Sequence, residues 1–270
     1  MSFFVPLQTQ IKEKFMKKAL LSICFAAISI LCFAQNNEFS LKFNTRADFD
    51  YEYFDNNNIN DRVGFAGKFL NIMLDGKIND KFEYHWRQRL NRTNFTSNFF
   101  EATDWAYLSY HITLSAGKQV VAIGGFEYDY APIDVYFYSD FCNIMPSCYE
   151  FGTSLTWNND AKNQALTFQI SNSIFKQQPF DGLLAYNLLW NGNITDFWKT
   201  LYSVNLIEYN QGNYVNYVAL GNQFYFDNFV IDLDYTNRYI NGQKNFFSDF
   251  TLATQVKYQL PQLNIFAKLS

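Results

Sequence analysis

The sequence predicts an all-β fold: an antiparallel transmembrane β-barrel of the kind that crosses an outer membrane on tilted strands. Three observations carry this expectation. Apolar and polar residues alternate with period two in one segment after another from Phe39 onward, which a helix would scramble. The connections between those segments alternate between short and long, as the two rims of such a barrel do. Aromatic residues make up 20% of the 270, spread among polar neighbours, and no segment past the N-terminal region reaches the ~18 apolar residues of a spanning helix.

Taken in order, residues 1–15 read as an upstream extension, because the export leader is complete without them. Met16-Lys17-Lys18 is a positive start, Ala19 to Phe33 an apolar run, and Ala34 a small residue followed by polar Gln35-Asn36-Asn37. This predicts a secretory signal peptide over 16–34, cut after Ala34, and a barrel over 35–270.

The first strand alternates most cleanly. Phe39, Leu41, Phe43, Thr45, Ala47, Phe49, Tyr51 and Tyr53 form one face, against Ser40, Lys42, Asn44, Arg46, Asp48, Asp50 and Glu52. In 81–91, Phe82, Tyr84, Trp86 and Leu90 oppose Glu83, His85, Arg87, Arg89 and Asn91. Strands are expected near 39–54, 63–77, 81–91, 102–110, 113–121, 148–158, 164–173, 183–193, 197–207, 214–226, 228–238 and 247–259. A partial thirteenth begins at Leu263. Most have the ~9–11 residues that a tilted strand needs. Short links such as Asn79-Asp80, His111-Ile112 and Asp227-Asn228 alternate with longer ones such as Arg92–Glu101, Ala122–Ser147 and Glu208–Asn213. A soluble sandwich has no reason to hold that phase.

Charge and cysteine content exclude several function classes. Taking Lys12, Lys14, Lys17, Lys18 and Glu13 away with the leader reduces 21 basic and 25 acidic groups to 17 and 24, and moves the net charge from −4 to −7. That balance argues against nucleic acid as a partner. Cys142 and Cys148 lack a companion at zinc spacing. They are a disulfide candidate or two free thiols, with no metal implied. His85 and His111 accompany no Ser-centred motif, so no catalytic residue is expected, and no cofactor.

The stretch Ala116-Gly117-Lys118-Gln119, Gly124 to Asp134 (GGFEYDYAPID) and Tyr138-Ser139-Asp140-Phe141 resembles the Bacteroidetes porins of the phosphate-selective porin O and P family. Asp104-Trp105-Ala106-Tyr107-Leu108 and Tyr149-Glu150-Phe151-Gly152 also look like that family. The resemblance implies a trimeric porin of about sixteen to eighteen strands whose third outer loop folds into the pore. Against it, the sequence ends at Ser270 without a terminal aromatic, so a C-terminally truncated barrel is expected.

The expected activity is passive diffusion of small hydrophilic solutes or ions through a water-filled barrel set in outer-membrane lipid. The family resemblance implies anionic, phosphate-like solutes among them, against which stands the acidic balance of the mature chain. The alternative is a non-conducting structural or surface-binding barrel. Parity makes Lys42, Arg46, Lys77, Arg87 and Arg89 the pore-lining candidates, and Asp48, Asp50, Asp75 and Glu83 their acidic neighbours. Glu127, Tyr128, Asp129, Asp134 and Asp140 are the candidates for an acidic, aromatic constriction loop facing that basic wall. Opposed charges across a narrow pore set up a transverse field that orients polar solutes.

Overall fold

The computed structural model describes residues 39–52, 62–91, 99–111, 113–135, 137–145, 147–176, 181–262 and 264–270. The expected extension and signal peptide lie outside them, as do Tyr53 and Tyr136. Among the described residues thirteen strands appear. They are β1 (Phe39–Glu52), β2 (Arg62–Lys77), β3 (Phe82–Arg89), β4 (Thr103–Tyr110), β5 (Leu114–Val120), β6 (Tyr149–Asn158) and β7 (Gln164–Asn172). They continue as β8 (Leu184–Thr195), β9 (Trp198–Asn210), β10 (Asn213–Phe226), β11 (Phe229–Ile240), β12 (Phe250–Gln259) and β13 (Asn264–Leu269). All belong to one sheet in chain order, antiparallel throughout, with β1 and β13 at its two ends.

The alternation in the sequence sorts the two faces as expected. Outward side chains are large and apolar: Phe65 is 88% exposed and Trp157 61%. Such surface is unfavourable in water, at roughly 25 cal/mol per Å², and suits lipid. Outward rings also pair across strands, as Phe49 with Phe65 at 5.0 Å and Phe229 with Tyr258 at 4.7 Å between centroids. The inward face is polar, with Asn71, Gln169, Asn187, Asn205 and Asn237 among its buried residues.

Two bulges change what the lumen contains. In β2, Phe69 pairs with Arg46 and Gly67 with Ala47, leaving Lys68 as the extra residue. Parity then switches along β2: Phe65 and Gly67 are exposed before the bulge, Phe69 is half-buried after it and Leu70 is exposed. In β4, Arg87 pairs with Trp105 and Gln88 with Thr103, so Asp104 is the extra residue. Strict alternation would put Asp104 beside Leu108 on the lipid face. The bulge turns it inward instead.

Short turns do line one rim, and His111, Lys162 and Asp227 take positive φ (51°, 54° and 49°) in three of them. The opposite rim departs from the expected phase once. Glu208–Asn213, expected as a longer loop, is a two-residue turn at Gln211-Gly212 between β9 and β10. Gly212 has φ 72°, and the Glu208 carboxylate accepts hydrogen bonds from the Gly212 and Leu184 backbone amides at 3.2 and 2.9 Å.

The third long connection, residues 121–148, folds inward. It touches Arg46 on β1, Gln169 on β7, Ser203 and Asn205 on β9, Gln223 on β10, Asp232 and Asp234 on β11, and Lys268 on β13. A single loop can reach both end strands and the middle ones only if the sheet curls around it.

Candidate functional site

This third loop is fastened to one wall by uncharged groups. Gln169, Asn187 and Asn205 lie directly opposite one another on β7, β8 and β9. Their amides form a ladder: Asn187 Nδ2 donates to Gln169 Oε1 at 3.0 Å, and Asn205 Nδ2 to Asn187 Oδ1 at 2.8 Å. The ladder then holds the chain at the root of the loop. Ala122 N donates to Gln169 Oε1, Gln169 Nε2 to Val120 O and Asn205 Nδ2 to Ala122 O, each at 2.8 Å. Gly124 N donates to Ser203 Oγ at 2.8 Å and Gly125 N to Leu201 O at 3.0 Å.

Glycine is required where backbone meets backbone. A Cβ on Gly124 would sit 2.6 Å from Leu201 O, and one on Gly221 would sit 2.8 Å from the Gly125 Cα. Gly125 itself has φ 96°, open to glycine and strained for other residues. Beyond it the Asp234 carboxylate accepts from Phe126 N and Glu127 N at 2.9 and 2.7 Å. Asp232 accepts from the Tyr130 hydroxyl at 2.6 Å.

The basic candidates separate into three kinds. Lys42 and Lys77 are exposed on β1 and at the end of β2. Arg46 holds Asp48 through Nε and Nη2, at 2.7 and 2.6 Å, and donates from Nη1 to Ile133 O and Val135 O at 2.6 and 3.0 Å. It ties β1 to the loop. Arg87 and Arg89 share Asp104, at 3.1 and 2.7 Å, where Arg87 is 1% and Arg89 25% exposed. The Arg87 guanidinium also lies over the Trp105 ring, 4.7 Å from its centroid.

Of the expected acidic neighbours, Asp48 does pair with Arg46, while Asp75 lies 2.9 Å from His85 Nδ1. Glu83 lies 3.9 Å from His85 Nε2, and the Asp50 side chain is outside the described residues. Asp104, the partner of the arginine pair, was concealed by its bulge. Its signal is a family-like acidic residue on the wrong parity of β4.

The loop acids separate as well. Glu127 is buried, accepts from Ser139 N and Oγ at 2.6 and 2.5 Å, and forms an ion pair with Lys268. It fastens the loop and does not line the larger cavity described below. Tyr128 donates to Cys148 O at 3.4 Å and packs against an apolar cluster that includes Val121, Ile123, Ile207 and Tyr217. Asp134 and Asp140 are exposed. Cys142 and Cys148 are free, half-buried thiols, and burial pushes both thiols above their usual range.

Two cavities flank the loop. The larger, about 670 Å³, lies between the wall bearing Arg87, Arg89 and Trp105 and the loop residues Tyr128, Asp129 and Tyr138. The second, about 410 Å³, lies toward the short-turn rim and carries Lys162 and Lys199. Asp129 and Tyr130 line both. Burial raises the Asp129 carboxyl above its ordinary value and pushes the Tyr138 phenol up to about 12.

A model of the family described as phosphate-selective porin O and P matches residues 39–202. The chain belongs to that family. It is an outer-membrane porin, a passive channel and not an enzyme. Among solved structures, a loop-deletion mutant of OmpT from Vibrio cholerae is 10% identical, with a TM-score of 0.54 over 83% of this chain and 77% of that one. The outer-membrane channel DcaP of Acinetobacter baumannii is 11% identical with a TM-score of 0.48, over 87% and 90%. The trimer form of in-vitro folded OmpT is also 11% identical, with a TM-score of 0.43 over 86% and 87%. The first of these likenesses concerns the porin's fold alone. No curated protein matches the sequence.

Proposed function

We propose that this porin passes small hydrophilic anions between the Arg87–Arg89 wall and the Asp129 segment of its inward-folded loop. The observation that carries the reading is that both arginines and Asp129 line one cavity, which adjoins a second, lysine-bearing one. Field lines between opposite charges in a low-dielectric surround are focused across the gap, so a dipolar or charged solute is oriented as it passes. Arg89 supplies the accessible positive charge, and Arg87 supports it from below the surface. Lys42 and Lys77, exposed at their strand positions, add to the basic side. Export through a leader cut after Ala34 and assembly as a homotrimer are part of the same proposal; the first rests on the positive start, apolar run and small residue of 16–34, the second on the family resemblance.

Planar-bilayer recording tests it. The full chain should give stepwise channels in KCl, with a reversal potential in a salt gradient that favours chloride over potassium. Arg89→Gln should move that potential toward the cation side. Cation preference in the unmodified protein would overturn the assignment, and an absence of steps would favour the plugged, structural barrel.

A further inference from the structure

We propose that the 670 Å³ cavity is a binding subsite for aromatic monocarboxylates, with the carboxylate on Arg89 and the ring against the loop tyrosines. The inference rests on reading this cavity as part of the solute path, and it names the class of solute.

Size is the first argument. About 670 Å³ falls within the roughly 300–1,000 Å³ of pockets that hold organic ligands and far exceeds what an inorganic oxyanion fills. The lining is the second. Phe69, Trp105, Tyr128, Tyr138 and Tyr149 contribute rings, and Val121 and Ile123 an aliphatic floor. Inorganic ions gain nothing from such walls, whereas an aromatic ring gains burial and ring contacts.

Charge is the third. The buried Asp104 takes the Nε side of both guanidiniums, offsetting one of the two positive charges. Arg89, a quarter exposed, therefore presents the usable cation to the cavity. A planar carboxylate matches the fork of a guanidinium edge. Asp129, the carboxylate that lines this cavity, repels a dianion about twice as strongly as a monoanion, since Coulomb energy scales with charge. Ring selectivity thus comes from Phe69, Trp105 and the tyrosines, and the preference for a single charge comes from Asp104 and Asp129.

The test titrates the detergent-folded full chain with benzoate, acetate and inorganic phosphate, reading tryptophan fluorescence and calorimetric heat, beside bilayer recordings. Benzoate should bind saturably and at least about tenfold more tightly than acetate or phosphate. Arg89→Gln should weaken it by about tenfold or more, as loss of a charge-assisted hydrogen bond does. Tyr138→Leu, which leaves all charges in place, should weaken benzoate while leaving acetate unchanged. Heat-modifiable electrophoretic mobility confirms that each variant is folded. Phosphate binding as tightly as benzoate, or benzoate binding indifferent to both variants, would overturn the proposal. Saturable benzoate binding without stepwise conductance would uphold the subsite and refute the path. Conductance without benzoate binding or block would do the reverse.

Discussion

Two of the inner walls that face the loop are built from opposite materials. On β7 to β9 the wall is a ladder of neutral amides, Gln169, Asn187 and Asn205, that meets the loop's backbone group by group. On β3 and β4 it is an ion cluster, Arg87, Arg89 and Asp104, that faces the loop across open volume. Amides can satisfy buried backbone donors and acceptors without adding a field, so they suit a joint. Charged groups also fasten the loop, at Arg46, Asp234 and the Glu127–Lys268 pair, but on β3 and β4 the charges line open volume, where a solute can feel them. Even there, the buried Arg87 requires a countercharge, because an unpaired buried ion is costly.

Several substitutions would break or sharpen this contrast. The largest effect should come from Asp104→Ala, which strips the partner from the buried Arg87 and from Arg89. A loss of about 3–5 kcal/mol is expected for a broken buried pair, read as a lower urea midpoint for the folded barrel. A much smaller loss would mean that water reaches Arg87 and that the two walls are less different than described. Next comes Asn205→Ala, which removes the donor to Ala122 O and Asn187 Oδ1. Buried groups left unpaired cost about 1–3 kcal/mol, and the loop should become cleavable by protease while the barrel persists. Gly221→Ala should cost about 1–3 kcal/mol by overpacking, because its Cβ meets the Gly125 Cα. The expected reading is noisier single-channel current.

The smallest effect on stability belongs to Asp129→Asn, within about 0.5 kcal/mol for a side chain that reaches open cavity volume while enclosed by the lumen, yet it should raise anion over cation permeability. Acidification should do the same to the unmodified channel. The Asp129 carboxyl is held above its ordinary value by burial, so its charge is present at high pH and is lost on lowering pH earlier than for an ordinary aspartate. In the Asn variant that part of the pH response should vanish.

The barrel was largely legible in the residues, and the strand positions with it, because side-chain parity is a local property of an extended chain in contact with lipid. Parity also placed Arg87 and Arg89 inward. It failed at the bulges, where one extra residue reverses the count: Asp104 and Phe69 belong to the lumen for reasons visible only in the pairing of β4 with β3 and of β2 with β1. The loop acids were legible as a group and not individually. Glu127 and Asp129 are two residues apart, yet one is latched to Ser139 and Lys268 while the other faces both cavities.

By itself, then, the sequence determined the two-faced strands, their number and most of their ends, since alternation, turn residues and aromatic placement act over a few residues. Tertiary structure alone decided which groups meet across the lumen. Register brought Gln169, Asn187 and Asn205 into one row, and curvature brought Arg46 and Lys268, from opposite ends of the sheet, onto one loop. Those contacts join residues tens to more than a hundred positions apart, and their geometry depends on how the whole sheet bends.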